Sequence, residues 1–269
     1  MFGKNPKRGP ETGDGQTLQV VNIFPTLQGE GPFAGHPAVF IRLGGCNLAC
    51  SFCDTEFEQF EAMTLDAVLA QVTKLSGCTP SPEITGGDFD LSQGRGLPVA
   101  QHTETSPLGE VEKRPSRFSG EGVQRQFIRD LVVITGGEPL RQNIAPLCEA
   151  LLAAGLRVQI ETNGTLWREL PKAAHVVCSP KVTDGRYHTL RPDILARVDA
   201  LKFIISADDA EYADVGQVGQ VGTNIPVYVQ PMDSYDHTRN AANLVRAAAL
   251  AQTHGYRLSL QVHKLLGIA

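Results

Sequence analysis

Short apolar runs, each ending in a polar motif and separated by helix-period stretches, constrain this chain more than any other feature. Runs suited to buried strands occur at Val20–Phe24, Ala38–Leu43, Leu131–Ile134, Arg157–Ile160, Val176–Cys178, Leu201–Ile205, Pro226–Val229 and Leu258–Val262. Between them, Leu65, Val68, Leu69, Val72 and Leu75 form one helical face behind a Thr64 cap. Pro139–Ala154 reads as a helix ending before Gly155, and His237–His254 as an Ala-rich helix ending at Gly255. Strands alternating with helices call for a largely parallel α/β sheet with crossovers. Sites in such folds lie at the carboxyl ends of the strands.

Composition sets the outer bounds. At 269 residues and 42% hydrophobic, the chain is long enough for a substantial core. Lys plus Arg number 24 against 29 acidic residues, a net charge of −5, which argues against a general binder of phosphate backbones. No apolar run approaches the ~20 residues of a spanning helix. The opening MFGKNPKRGPETGDGQ lacks the apolar core of a secretory signal. A cytoplasmic protein is expected, without nucleic-acid or membrane partners. Residues 1–18 read as a flexible tail and 19–269 as a core domain, interrupted by an insertion at 77–128 rich in Gly, Pro, Ser and charge.

Three of the six cysteines fall in one short loop, Gly45-Cys46-Asn47-Leu48-Ala49-Cys50-Ser51-Phe52-Cys53-Asp54-Thr55. Thiolates at CxxxCxxC spacing converge on one inorganic centre, and soft ligands favour zinc or iron–sulfur. A closed zinc site usually takes four protein ligands, and no fourth Cys or His lies nearby. A four-iron cluster held by three cysteines leaves one iron open to a substrate or cofactor. Spacing alone leaves both metals open. Cys78, Cys148 and Cys178 have no partner spacing and read as ordinary thiols.

The cysteine loop, with Phe52 before its last cysteine, resembles the radical S-adenosylmethionine (SAM) superfamily. That resemblance implies a 4Fe–4S cluster on Cys46, Cys50 and Cys53, with SAM chelated at the open iron and cleaved to a 5′-deoxyadenosyl radical. Ile134-Thr135-Gly136-Gly137-Glu138-Pro139 resembles the superfamily's glycine-rich motif. Thr85-Gly86-Gly87-Asp88 is a look-alike without a preceding strand. Glu161-Thr162-Asn163-Gly164, Ser179-Pro180-Lys181 and Gln230-Pro231-Met232-Asp233 also end strands and are expected to line the SAM pocket.

Three further segments narrow the resemblance. In Thr26-Leu27-Gln28-Gly29-Glu30-Gly31-Pro32, Gln28 and Glu30 suit the mixed donors and acceptors of a pterin-like edge. Arg42, close to the cysteine loop, suits a carboxylate. Thr55 offers a hard oxygen for magnesium. In this order, and with Leu258-Ser259-Leu260-Gln261-Val262-His263-Lys264 near the C-terminus, they resemble the 7-carboxy-7-deazaguanine synthase family over residues 19–75 and 129–269. The family's reaction converts 6-carboxy-5,6,7,8-tetrahydropterin to 7-carboxy-7-deazaguanine with loss of ammonia, for queuosine and other 7-deazapurines. Carried over by motif, Phe52, Cys53, Asp54, Gly137, Ser179, Pro180, Lys181, Gln230, Pro231, Met232 and Asp233 would contact SAM. Leu27, Gln28, Gly29, Arg42, Thr135 and Ala269 would contact the pterin, and Thr55 would bind Mg2+. The family implies a partial (βα) radical SAM barrel, a homodimer and an electron donor such as flavodoxin. The long insertion departs from its pattern. A glycyl-radical activating enzyme and a zinc-binding adaptor are the alternative readings.

Overall fold

The computed structural model describes residues 5–53, 55–79 and 126–268. Asp54, Ala269, the Thr85–Asp88 look-alike and most of the expected insertion lie outside the described residues. The chain divides into two compact units, Met1–Cys78 with Phe127–Ala269 and Thr79–Gln126.

A single nine-stranded sheet organises the first unit. In chain order its strands are β1 (Thr17–Leu27), β2 (Pro37–Leu43), β3 (Glu61–Thr64), β6 (Leu131–Gly136), β7 (Arg157–Thr162), β8 (His175–Cys178), β9 (Ala200–Ile205), β10 (Val227–Pro231) and β11 (Arg257–Leu258). The short strands β4 (Cys78–Thr79) and β5 (Gln126–Phe127) pair separately. Across the large sheet the order is β11-β10-β9-β8-β7-β6-β2-β1-β3. Every pairing from β2 to β11 is parallel, whereas β1 runs antiparallel to both β2 and β3. The ends do not pair, so the sheet stays open.

The period of two divides the strands between two environments. Val39, Ile41, Leu43, Val132, Ile134, Val158, Ile160, Leu201, Phe203 and Val229 join the main core. It packs on α1 (Leu65–Ser76) and α2 (Ala145–Ala153). The single turn α3 (Pro192–Leu195) adds Ile194 to it, and α4 (His237–His254) covers the other end of the sheet. The intervening positions face the other side of the sheet. They are apolar at the base, where Ala38, Leu131 and Val133 cluster with Phe33 and Phe40. Further along the same strands they turn polar, at Arg42, Thr135, Glu161, Lys202 and Gln230, which line a cleft.

Helix ends follow local chemistry. Thr64 Oγ1 accepts from Ala67 N–H at 3.2 Å, and Gly77 closes α1 in a left-handed conformation. Asp236 caps α4 through Arg239 N–H at 2.8 Å, and Gly255 ends it. The helix expected over Pro139–Ala154 is instead a 3-10 turn, Pro139–Arg141, followed by α2. Pro146 has no N–H to continue the first turn, so it can only stand where a new helix begins. The strand expected at Leu258–Val262 is also shorter. Ser259 N–H still donates to Val229 O at 2.9 Å, but then the chain leaves the edge, and α5 (Val262–Leu265) starts with Val262 N–H donating to Gly29 O at 3.1 Å.

Residues 5–16, read from composition as a tail, are hydrogen-bonded along the core. Arg8 N–H donates to Cys46 O and Glu11 N–H to Arg141 O, both at 2.7 Å. Arg141, almost fully buried, returns an ion pair to Glu11 at 2.7 Å. Among the described residues no helix is long and apolar enough to cross a membrane.

Candidate active site

The cysteine loop leaves the end of β2 at Gly44–Gly45 and packs against the turn that follows β6. Gly137 N–H donates to Leu43 O and Glu138 N–H to Gly45 O, each at 3.0 Å. The approach leaves no room for side chains. A Cβ on Gly137 would lie 2.0 Å from Gly45 O, and Gly136 holds φ at 126°. The glycine pair therefore brings the Thr135–Pro139 turn onto the root of the cysteine loop.

Cys46 is buried, Cys50 and Cys53 are half-buried, and all three are thiols that line one cleft. Burial pushes the Cys46 thiol up to about 11 and raises Cys50, against which Lys181 acts in the opposite direction. These are thiols whose ionisation an iron centre would drive. Among the described residues no three His, Cys, Asp or Glu groups are gathered to hold one metal ion. A cubane cluster asks for a different arrangement, since each thiolate takes its own iron. The donor set, three sulfurs on one loop lining a cleft, fits such a cluster. Cys148 and Cys178, pushed up to about 12 by burial, pack in the main core.

The cleft encloses about 780 Å3. On one wall Lys181 Nζ donates to Ser179 O at 2.6 Å and to Ser179 Oγ at 2.7 Å. Burial lowers the Lys181 pKa. Gln230 Oε1 accepts from Ser259 Oγ at 3.2 Å. Burial alone would raise Asp233, but Lys264 at 2.8 Å, Tyr235 N–H and Asn240 hold it at about 2. Arg42 also lines the cleft, and its guanidinium lies 5.3 Å from the Phe24 ring centre. Register places Thr135 beside Arg42 on the next strand. Gln28 is buried and donates to Glu161 Oε1 at 3.3 Å.

Comparison with known proteins meets this geometry at full length. The chain is 45% identical over 268 residues to a 7-carboxy-7-deazaguanine synthase of Rickettsia prowazekii, covering all of this chain and 96% of that one. It is 40% identical over 290 residues to the synthase of Rhodospirillum rubrum, covering all of both. The chain belongs to the 7-carboxy-7-deazaguanine synthase family. No family model matches it. The crystal structure of QueE from Escherichia coli superposes with a TM-score of 0.59 at 22% identity, over 94% of this chain and all of that one. The fold is thus the partial radical SAM barrel expected for this synthase family.

Of the residues singled out for the synthase reaction, Leu27, Gln28, Arg42, Cys46, Cys50, Phe52, Cys53, Thr55, Thr135, Gly137, Ser179, Lys181, Gln230, Pro231, Met232 and Asp233 all line the cleft. Gly29 and Pro180 do not. Gly29 instead seats the C-terminal segment, and a Cβ there would overlap the His263 ring. Asp54 and Ala269 lie outside the described residues.

Lys202 is a charged cleft residue that no motif announces. Its Nζ donates to Glu30 Oε2 at 2.6 Å and to Glu161 Oε2 at 2.7 Å. Burial would raise the Glu30 carboxyl, yet Lys202 and Gln261 hold it at about 2. Burial would likewise lower Lys202, but the charges of Glu161 and Glu30 raise it above the usual lysine range. The one trace in the sequence is a lone charge inside the otherwise apolar strand Ala200–Ile205.

Proposed function

We propose that this cleft carries out the ring contraction of 6-carboxy-5,6,7,8-tetrahydropterin to 7-carboxy-7-deazaguanine with release of ammonia, for 7-deazapurine synthesis. The observation that carries the reading is one cleft lined by three loop thiols, two polar strand ends and the Gln28–Arg42–Thr135 wall. Full-length relatives named as synthases favour it over a glycyl-radical activating enzyme or a zinc adaptor.

Bound in the cleft, a cluster and SAM would supply the one-electron radical chemistry that the ring contraction needs. Cys46, Cys50 and Cys53 hold the cluster, while Phe52, the Ser179–Lys181 turn and the Gln230–Asp233 turn bind SAM. Arg42 meets the pterin carboxylate, its guanidinium plane steadied by Phe24. Gln28 and Thr135 present hydrogen-bonding groups to the ring. The Thr55 hydroxyl offers Mg2+ a hard ligand beside the substrate carboxylate. Phe24, Phe40, Phe52 and Phe57 line the same cleft and exclude water from the radical. A flavodoxin-type electron donor, a homodimer and a cytoplasmic setting complete the proposal.

The test is an anaerobic assay with reconstituted iron, SAM, reductant, Mg2+ and carboxytetrahydropterin, read by mass spectrometry. Carboxydeazaguanine is the expected product, with turnover falling when divalent ions are stripped. Arg42→Ala and Glu30→Gln should abolish turnover yet leave SAM binding intact. Deoxyadenosine without product would keep the radical chemistry and discard the pterin. Neither compound from an iron-loaded protein would discard both.

A further inference from the structure

The ion cluster at Lys202 joins three segments that are distant in sequence. Glu30 belongs to the loop after β1, Glu161 to the end of β7 and Lys202 to the middle of β9, with separations of 172 and 41 residues from the lysine. All three line the cleft. Their side chains are 6% exposed at Lys202, 17% at Glu30 and 12% at Glu161, so water screens them little. Buried ion pairs are poor stabilisers, because desolvation consumes most of the Coulomb gain, and apolar replacements are often neutral. Stability therefore gives little reason for this cluster in a strand that is otherwise apolar.

Its geometry gives a better one. Two carboxylates and one ammonium leave a single net negative charge facing the cleft. Each carboxylate is also oriented by amides: Glu30 Oε1 accepts from Gln261 Nε2 at 2.9 Å, and Glu161 Oε1 from Gln159 Nε2 at 2.6 Å and from Gln28. Lys202 bridges the two carboxylates. Resting on the pterin reading above, we propose that Lys202 is a positioning residue that holds the Glu30 and Glu161 carboxylates in register as acceptors for the donor-rich edge of the substrate. Acceptors set in place before the substrate arrives need no reorganisation during the reaction. Lys181 and His263 add positive charge on the cleft side, and the Glu161 charge reaches His175 on β8. Of these, Lys181 donates to Ser179, and His175 lies 3.8 Å from Asp199.

The experiment compares wild type, Lys202→Met and Lys202→Arg as iron-loaded enzymes. Wild-type turnover is measured first, and its absence would remove the pterin reading rather than this proposal. Given that turnover, Lys202→Met should raise the KM for the pterin about tenfold while SAM binding changes less than twofold. Its KM defect should be larger at pH 6 than at pH 8.5. Without the lysine, burial raises the Glu30 carboxyl, so that anion is lost as pH falls. Lys202→Arg keeps the charge but shifts both carboxylates. It should raise KM about fivefold with no new pH dependence. An unchanged pterin KM in Lys202→Met at both pH values overturns the proposal. So does a Lys202→Met that fails to fold beside a Lys202→Arg with wild-type KM, since the lysine would then serve stability alone.

Discussion

Glu138 sits in the glycine-rich turn, yet it is fully buried and turned away from the cleft. Its Oε1 accepts from Leu140 N–H at 3.0 Å and Thr162 Oγ1 at 2.7 Å, and its Oε2 from Asn163 N–H at 2.7 Å. It thereby ties the end of β6 to the end of β7, where Asn163 reaches toward Cys46 at 4.0 Å. Glu138→Ala should cost about 3 kcal/mol in urea unfolding, since it strands buried donors. Burial raises the Glu138 pKa above 4.5 in the folded chain. The unfolded chain gives up its proton first, so this group's contribution to stability is greatest below 4.5 and is lost as pH rises through the folded value. Glu138→Gln should flatten that limb of the stability–pH curve. At this scale the sequence discloses the cysteine loop and the strand-end motifs, because each is a short local run. It does not disclose Lys202, whose partners enter from elements far away in the chain.

The elements with strong local signals form where their caps predict. Thr64 and Gly255 bound α1 and α4 within a residue of the expected ends. Thr64→Ala removes the acceptor of Ala67 N–H and should lower stability by about 1 kcal/mol, read as a shift in the urea midpoint with unchanged slope. The elements that differ do so for tertiary reasons or because a proline interrupts them. The Pro139–Ala154 pattern has a helical period but carries Pro146, which splits it into a turn and a helix. The alternation at Leu258–Val262 would suit a strand. However, Ser259 Oγ is committed to Gly31 N–H and Gln230, and Gln261 to Glu30, so the chain leaves the sheet edge and lines the cleft instead. The strand Glu61–Thr64 escapes a pattern search because it is four mostly exposed residues, paired with β1.

In the first compact unit the chain returns close to where it leaves α1. Ile128 N–H and Arg129 N–H both donate to Ser76 O at 3.1 Å. Closing a shorter loop between those points lowers the entropy cost. Replacing residues 80–125 by a short Gly–Ser linker should therefore leave the melting temperature within a few degrees, and product formation in the anaerobic assay should persist. A collapse of the melting transition would make that segment part of the core. At this largest scale, the order of apolar runs and helix-period stretches was enough to determine a parallel α/β sheet with its polar motifs at the strand ends. The cysteine spacing and the Gln28, Arg42 and Thr55 segments were enough to determine the family. Both are local codes, written in periods of two and 3.6 and in short motifs. Only the tertiary structure decided that Gly137 must pack against Gly45, that Gly29 serves the C-terminal segment, and that one lysine on β9 binds two glutamates into a single wall. Those outcomes depend on which strands become neighbours and how the sheet curves, and no stretch of sequence carries that information alone.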